Sequence, residues 1–222
     1  MKKLIFACIF FLLIMGCGAV NNTLLEKRKG VEYYRIFDIK TSADRNVVSD
    51  AASNGLGKNV NNAKEVRPIP ESAVLPETPG RFKLENPLKG TRLGAFAGGA
   101  GEIGYKVATC EGAVWSANAR RTIAGQSNLD ISACLFQYAQ GYHLDLYANF
   151  TKIEGGLKEV SRKMASAVVG TPEEWTEKTF LDIVREIRKQ TGAEVILIEG
   201  YPKLSGTPWL DTGEQIKQAS HK

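Results

Sequence analysis

The chain has 222 residues, 43% of them hydrophobic and 24% charged, with a formal net charge of +5. That length suffices to bury a core, and the basic excess is too small to argue for a nucleic-acid partner. The two histidines and four cysteines show no metal-ligand spacing, so no metal and no cofactor are expected.

Lys2 and Lys3 give the chain a positive start, and the twelve residues Leu4 to Met15 (LIFACIFFLLIM) follow without a charge. As a helix that run covers about 18 Å at ~1.5 Å per residue, short of the ~30 Å of a bilayer core. A secretory signal peptide over residues 1–16 is expected. Its end, Ile14-Met15-Gly16-Cys17, has an aliphatic residue three positions before the cysteine and a small one directly before it. This resembles the lipobox of bacterial lipoproteins. The resemblance implies lipidation of the Cys17 sulfur by a diacylglyceryl group, cleavage before Cys17, and a mature protein held on a membrane. Two or more acyl chains anchor stably. Gly18, rather than Asp, follows the cysteine, and the resemblance then implies the outer membrane of a Gram-negative envelope, facing the periplasm. Removing residues 1–16 leaves 27 basic and 24 acidic residues, a net of +3. Cys8 goes with the leader. Cys110 and Cys134 then remain as a pair in an oxidising compartment, where a disulfide is expected and two buried free thiols are the alternative.

Residues 17–30 are polar and read as a tether. Residues 31–64 read as a small strand–helix unit. VEYYRIFDIK at 31–40 is β-branched and aromatic, with Val31, Tyr33, Phe37 and Ile39 on one face and Arg35 a blemish in it. Thr41 to Asp44 offers a cap, Ala43, Val47, Val48 and Ala51 an apolar stripe, and Asn54-Gly55 a stop. Residues 65–92 hold five of the eight prolines and form a stiff linker or a strap across the domain. Ile69, Val74, Leu75, Phe82 and Leu84 favour the strap in part.

Residues 93–200 make the main domain. GAGEIG at 99–104 fits G-x-G-x-x-G, but a strand-like segment at 105–110 follows where a dinucleotide site needs a helix. AVWSANARR at 113–121 alternates as a strand. ISACLFQYA at 131–139 and YHLDLYANFT at 142–151 flank Gln140-Gly141 as a hairpin. Tyr142, Leu144, Leu146, Ala148 and Phe150 face one side, and His143, Asp145, Tyr147 and Asn149 a wetter one. Leu157, Val160, Met164 and Val168 recur at helical spacing. Thr171-Pro172-Glu173-Glu174 caps a second helix that ends at Thr191-Gly192. AEVILIE at 193–199 reads as a final buried strand, and residues 201–222 as an irregular tail. The whole is an α+β fold: a mostly antiparallel sheet of about 4–6 strands with two consecutive helices on one face.

His143 is the one realistic base, beside Asp145 and near Ser132 or Ser116, and is a weak candidate for triad chemistry. Asp130, Asp145 and Glu111 are the carboxylates near strands, and a surface role outweighs a paired-acid site. Trp115, Tyr142 and Phe150 fit a core better than a ligand platform. The expectation is therefore a non-enzymatic, membrane-anchored envelope lipoprotein that binds an envelope protein or a cell-wall component, with His143, Asp145, Tyr147 and Asn149 as a weak contact patch. A periplasmic small-ligand module is the alternative, and an envelope hydrolase using His143 a more distant one.

Overall fold

The computed structural model describes residues 27–69, 74–86, 106–121, 129–156 and 170–210. In chain order its elements are β1 (Lys27–Lys40), α1 (Arg45–Gly57), β2 (Lys64–Val66), β3 (Lys83–Glu85), β4 (Val107–Thr109), β5 (Trp115–Arg121), β6 (Leu129–Tyr138), β7 (Gly141–Glu154), α2 (Pro172–Thr191) and β8 (Glu194–Tyr201). Six strands form one antiparallel sheet in the order β2-β5-β6-β7-β1-β8, and β3 and β4 form a separate two-stranded ribbon. The fold class is α+β. Among the described residues the two helices on the sheet, α1 and α2, lie side by side, with β2 to β7 between them in the chain. The helical spacing at 157–168 and the glycine-rich 99–104 lie outside the described residues.

Alternation along the strands decides which face meets the helices. Leu129, Ile131, Ala133 and Leu135 of β6, and Tyr142, Leu144, Leu146, Ala148 and Phe150 of β7, are buried in one cluster with Phe37, Ile39 and Trp115. Val48, Ala51, Ala52 and Leu56 of α1, and Phe180, Ile183, Val184 and Ile187 of α2, complete it. Arg35 points into this face and is 2% exposed. It is not a blemish but one half of an ion pair with Glu177 of α2, at 2.6 Å.

Three local signals carry different meanings from those expected. Gly55 does not stop α1, which runs on to Gly57. A Cβ on Gly55 would stand 2.5 Å from the Ile183 Cα, so this glycine lets the two helix backbones touch. Val47 is exposed, and the buried stripe is Val48, Ala51, Ala52 and Leu56. β8 is an edge strand with Ile196 and Ile198 about half exposed, rather than a buried one. The α2 signals act as read: Thr171 and Glu174 form a capping box, Pro172 sits in the first turn, and Gly192 closes the helix at φ 65°.

β1 begins at Lys27, inside the segment read as tether, because it pairs residue by residue with β7 from Lys27 opposite Glu154 to Ile39 opposite Tyr142. The strand of the 31–64 unit thus lies within the main sheet, between β7 and β8. The tail also has order: Trp209 is buried edge-on against Phe37 and its indole N–H donates to the Val195 carbonyl at 3.2 Å. Among the described residues no helix is long and apolar enough to cross a membrane.

Candidate functional site

The face of the sheet away from the helices carries the polar residues of β7. Register sets them in rows. Asp145 lies between Cys134 of β6 and Ile36 of β1, and His143 between Phe136 and Asp38. Tyr147 lies between Ser132 and Tyr34, and Asn149 between Asp130 and Glu32.

This face is roofed rather than open. Residues 76–86 cross it as a strap. The Ala139 N–H donates to the Pro76 carbonyl at 2.9 Å. Gly80 lies so close to the Phe136 ring that a Cβ would stand 2.6 Å from its Cδ1. The Phe82 N–H donates to Asp145 Oδ2 at 2.9 Å, and the Phe82 ring packs on Tyr147 with centroids 5.8 Å apart. Arg81 Nε is 3.7 Å from the same Asp145 oxygen, and its Nη2 donates to Glu199 Oε2 at 2.9 Å. The strap runs into β3, which pairs with β4, and Cys110 just after β4 is bonded to Cys134 with Cα atoms 5.4 Å apart. The expected disulfide is present. It closes a loop of 24 residues and fastens the β3–β4 ribbon to β6.

Burial under the strap reshapes the ionisation of β7. Asp145 is fully buried, and desolvation raises its carboxyl to about 6, against the opposing pull of the Phe82 N–H and Arg81. Burial also holds the His143 imidazole below its usual range, and lifts the Tyr147 phenol to about 12. His143 meets the Tyr138 ring edge-on at 5.6 Å, and its Nε2 is 3.9 Å from Asp38 Oδ1. Tyr138 donates to that same Asp38 oxygen at 2.7 Å. Among the described residues His143 Nδ1 and Asp145 Oδ1 are buried without a hydrogen-bond partner.

Among the described residues neither Ser132 nor Ser116 stands beside His143. Ser132 stands opposite Tyr147, four residues along β7, which is roughly 13 Å at ~3.3 Å per residue. Its hydroxyl donates to Asn118 Oδ1 at 2.8 Å. Ser116 is opposite Cys134, a strand further out. Of the acids, Asp130 pairs with Arg120 at 2.6 Å and Glu111 with Lys83 at 2.8 Å, while Asp145 lies beneath the strap. Among the described residues no group of three His, Cys, Asp or Glu side chains is placed to hold a metal.

Beyond the strap the same face opens into a cleft of about 470 Å³. Its walls are Asn62 and Lys64 before and in β2, Lys106 and Val107 at the base of β4, and the outer residues of β5, β6 and β7. Asn118, Arg120, Asp130, Ser132 and Asn149 supply the polar floor. The Asn149 amide donates to the Lys106 carbonyl at 2.7 Å, which ties β7 to the ribbon, and Lys106 Nζ is 2.9 Å from Glu32. Of the four residues expected as a contact patch, Asn149 lines this cleft, Asp145 and Tyr147 meet the strap, and His143 packs against Tyr138. Lys64, Lys106, Asn118 and Arg120 went unremarked in the sequence. Each sits on, or directly before, a short or half-buried strand whose neighbours are set by register, and no local motif marks them. Comparison with protein-family models and with curated proteins gives no match to this chain.

Proposed function

We propose that this protein is a non-enzymatic lipoprotein of the bacterial envelope, lipidated at Cys17, which holds its α+β domain at the membrane to bind a hydroxyl-rich cell-wall component through the polar cleft. The observation that carries the reading is Ile14-Met15-Gly16-Cys17 at the end of a short uncharged run behind two lysines. The Cys110–Cys134 bridge supports it, because such bonds persist in oxidising compartments. The cleft supports the choice of partner. Three asparagines, a serine, three cations and one carboxylate line it, beside the apolar side chains of Val107, Ala119 and Ile131, an array of donors and acceptors that suits the hydroxyls and carbonyls of a glycan.

Chain length bears on the reach of the cleft. Cys17 is ten residues before Lys27, where β1 begins, so the domain starts no more than about 36 Å from the lipid at ~3.6 Å per residue. Glu32 and Asn149 beside the cleft are paired on the same half of β1 and β7 as Lys27 and Glu154. The cleft therefore lies in the half of the sheet nearer the proposed tether, which supports a partner within a few tens of ångströms of the membrane. Confinement to that layer raises the effective concentration of the domain near its partner.

The test is the amino terminus and what the domain captures. Mass analysis of the membrane-extracted protein is expected to find an acylated N-terminal Cys17, with Cys17→Ser accumulating as an unprocessed precursor. A photo-crosslinker at Lys64 is expected to capture cell-wall glycan in the cell. An intact Met1 without acyl mass sinks the anchor, and capture confined to envelope proteins replaces the cell wall with a protein partner.

A further inference from the structure

The strap is fastened to the sheet in an asymmetric way. All of the donors that it brings to Asp145 converge on Oδ2: the Phe82 N–H at 2.9 Å and Arg81 Nε at 3.7 Å. Oδ1 is buried with no donor among the described residues. Burying a polar oxygen without a donor is costly, and burying it as part of a charged group costs more than burying it neutral. The closed strap therefore leaves the carboxyl fully buried with donors on one oxygen alone, an environment that costs the anion more than the neutral acid. Two residues along the same face of β7, His143 Nδ1 is also buried and unpartnered.

We propose that the strap is a proton-operated latch, seated while Asp145 is protonated and loosened once that buried carboxyl is ionised. Loosening would hydrate Oδ1, and would lift Phe82 from Tyr147 and Gly80 from Phe136. Every element around Asp145 bears on the balance. Arg81 on the strap favours the anion, but it is about half exposed and shares its guanidinium with Glu199 of β8. Cys134 of β6 and Ile36 of β1 flank Asp145 with no charge. On β7 itself lies His143, whose charged neighbours Asp38 and Lys40 belong to β1. Desolvation exceeds the help of Arg81 and Phe82, and places the closed-state titration at about 6. In the open state the carboxyl returns to its ordinary value near 3.9, so ionisation favours opening and acid favours closure. Because β3 of the strap pairs with β4, the latch also positions Val107 and Lys106 in the cleft wall. That last consequence rests on the cleft being the contact site, whereas the latch does not.

Hydrogen exchange on the full-length lipidated chain in detergent, at pH 5 and pH 7, tests this. Peptides covering 79–86, corrected for intrinsic chemical rates, are expected to show an opening constant about tenfold larger at pH 7, from the linkage between titration at ~6 closed and ~3.9 open. The β6 and β7 core amides serve as the reference and are expected not to follow. His143→Gln is expected to keep the tenfold change and Asp145→Asn to flatten it to within about twofold. A strap that opens equally at both pH values overturns the latch. So does a change shared by the β6 and β7 core, one lost in His143→Gln, or one that persists in Asp145→Asn. The wild-type and His143→Gln profiles remain decisive if Asp145→Asn does not fold.

Discussion

Arg35 of β1 and Glu177 of α2 meet in a two-pronged ion pair, with Nη2 2.6 Å from Oε2 and Nε 3.4 Å from Oε1. Arg35 is 2% exposed, and its Nη1 donates to the Tyr34 carbonyl at 2.8 Å. Removing one partner strands the other charge inside the helix–sheet interface. Glu177→Ala is expected to lose about 3 kcal/mol in urea unfolding, whereas Arg35→Met combined with Glu177→Leu recovers most of that loss. Equal losses in the single and double variants would refute the pairing as the cause.

Gly55 and Gly57 sit two residues apart in α1 and are expected to respond in opposite ways. A Cβ at 55 would meet Ile183 Cα at 2.5 Å and the Asp182 carbonyl oxygen at 2.7 Å, both backbone atoms, while one at 57 meets nothing within 4 Å. Gly55→Ala must push α1 from α2 and is expected to cost about 1–3 kcal/mol. Gly57→Ala should be neutral or stabilising by up to ~1 kcal/mol, from better helix propensity. Thermal unfolding of the two variants checks the order.

Reduction of Cys110–Cys134 is expected to lower stability by about 3 kcal/mol, the chain-entropy value for a loop of 24 residues. Cys134 is 1% exposed and lies under Phe82 and Phe136. Reduction in folded protein should therefore be slow without denaturant, and unfolding in urea with and without reductant gives the difference.

Asp145 sets the sign of one pH dependence. Its folded titration, at about 6, lies above the unfolded value of ~3.9. Its contribution to stability is thus fully present below about 3.9 and is lost as the pH rises through about 6. His143, held below its usual range by burial, acts the other way and cancels when variants are compared at one pH. The stability of wild type relative to Asp145→Asn is expected to rise by about 1.4 kcal/mol from pH 7 to pH 5. A constant difference across that range would contradict the shift.

How much of this was legible in the sequence depends on whether a signal is local. The hairpin of β6 and β7, the α2 cap at Thr171 and the stop at Gly192 were readable because alternation, capping boxes and left-handed glycines act over a few residues. Gly55 misled because a helix-stopping glycine and a close-packing glycine look alike until the partner helix is known. Arg35 looked like a flaw because its acid lies 142 residues away. The contact patch on β7 was expected to be wet since three of its four residues are polar and one is Tyr. Whether a polar sheet face meets water or a strap depends on where residues 76–86 travel, which no periodicity reports. The cleft was the least visible feature, because it is assembled from single residues on five strands and their flanks.

The place of β1 between β7 and β8 has a consequence for how the chain comes to be folded. That strand is flanked by Gly141–Glu154 on one side and by Glu194–Tyr201 on the other. No neighbour for it exists until well over half of the polypeptide has been made, and the second arrives close to the end. Contacts so distant in sequence form late, so a nascent chain must stay unpaired for most of its synthesis.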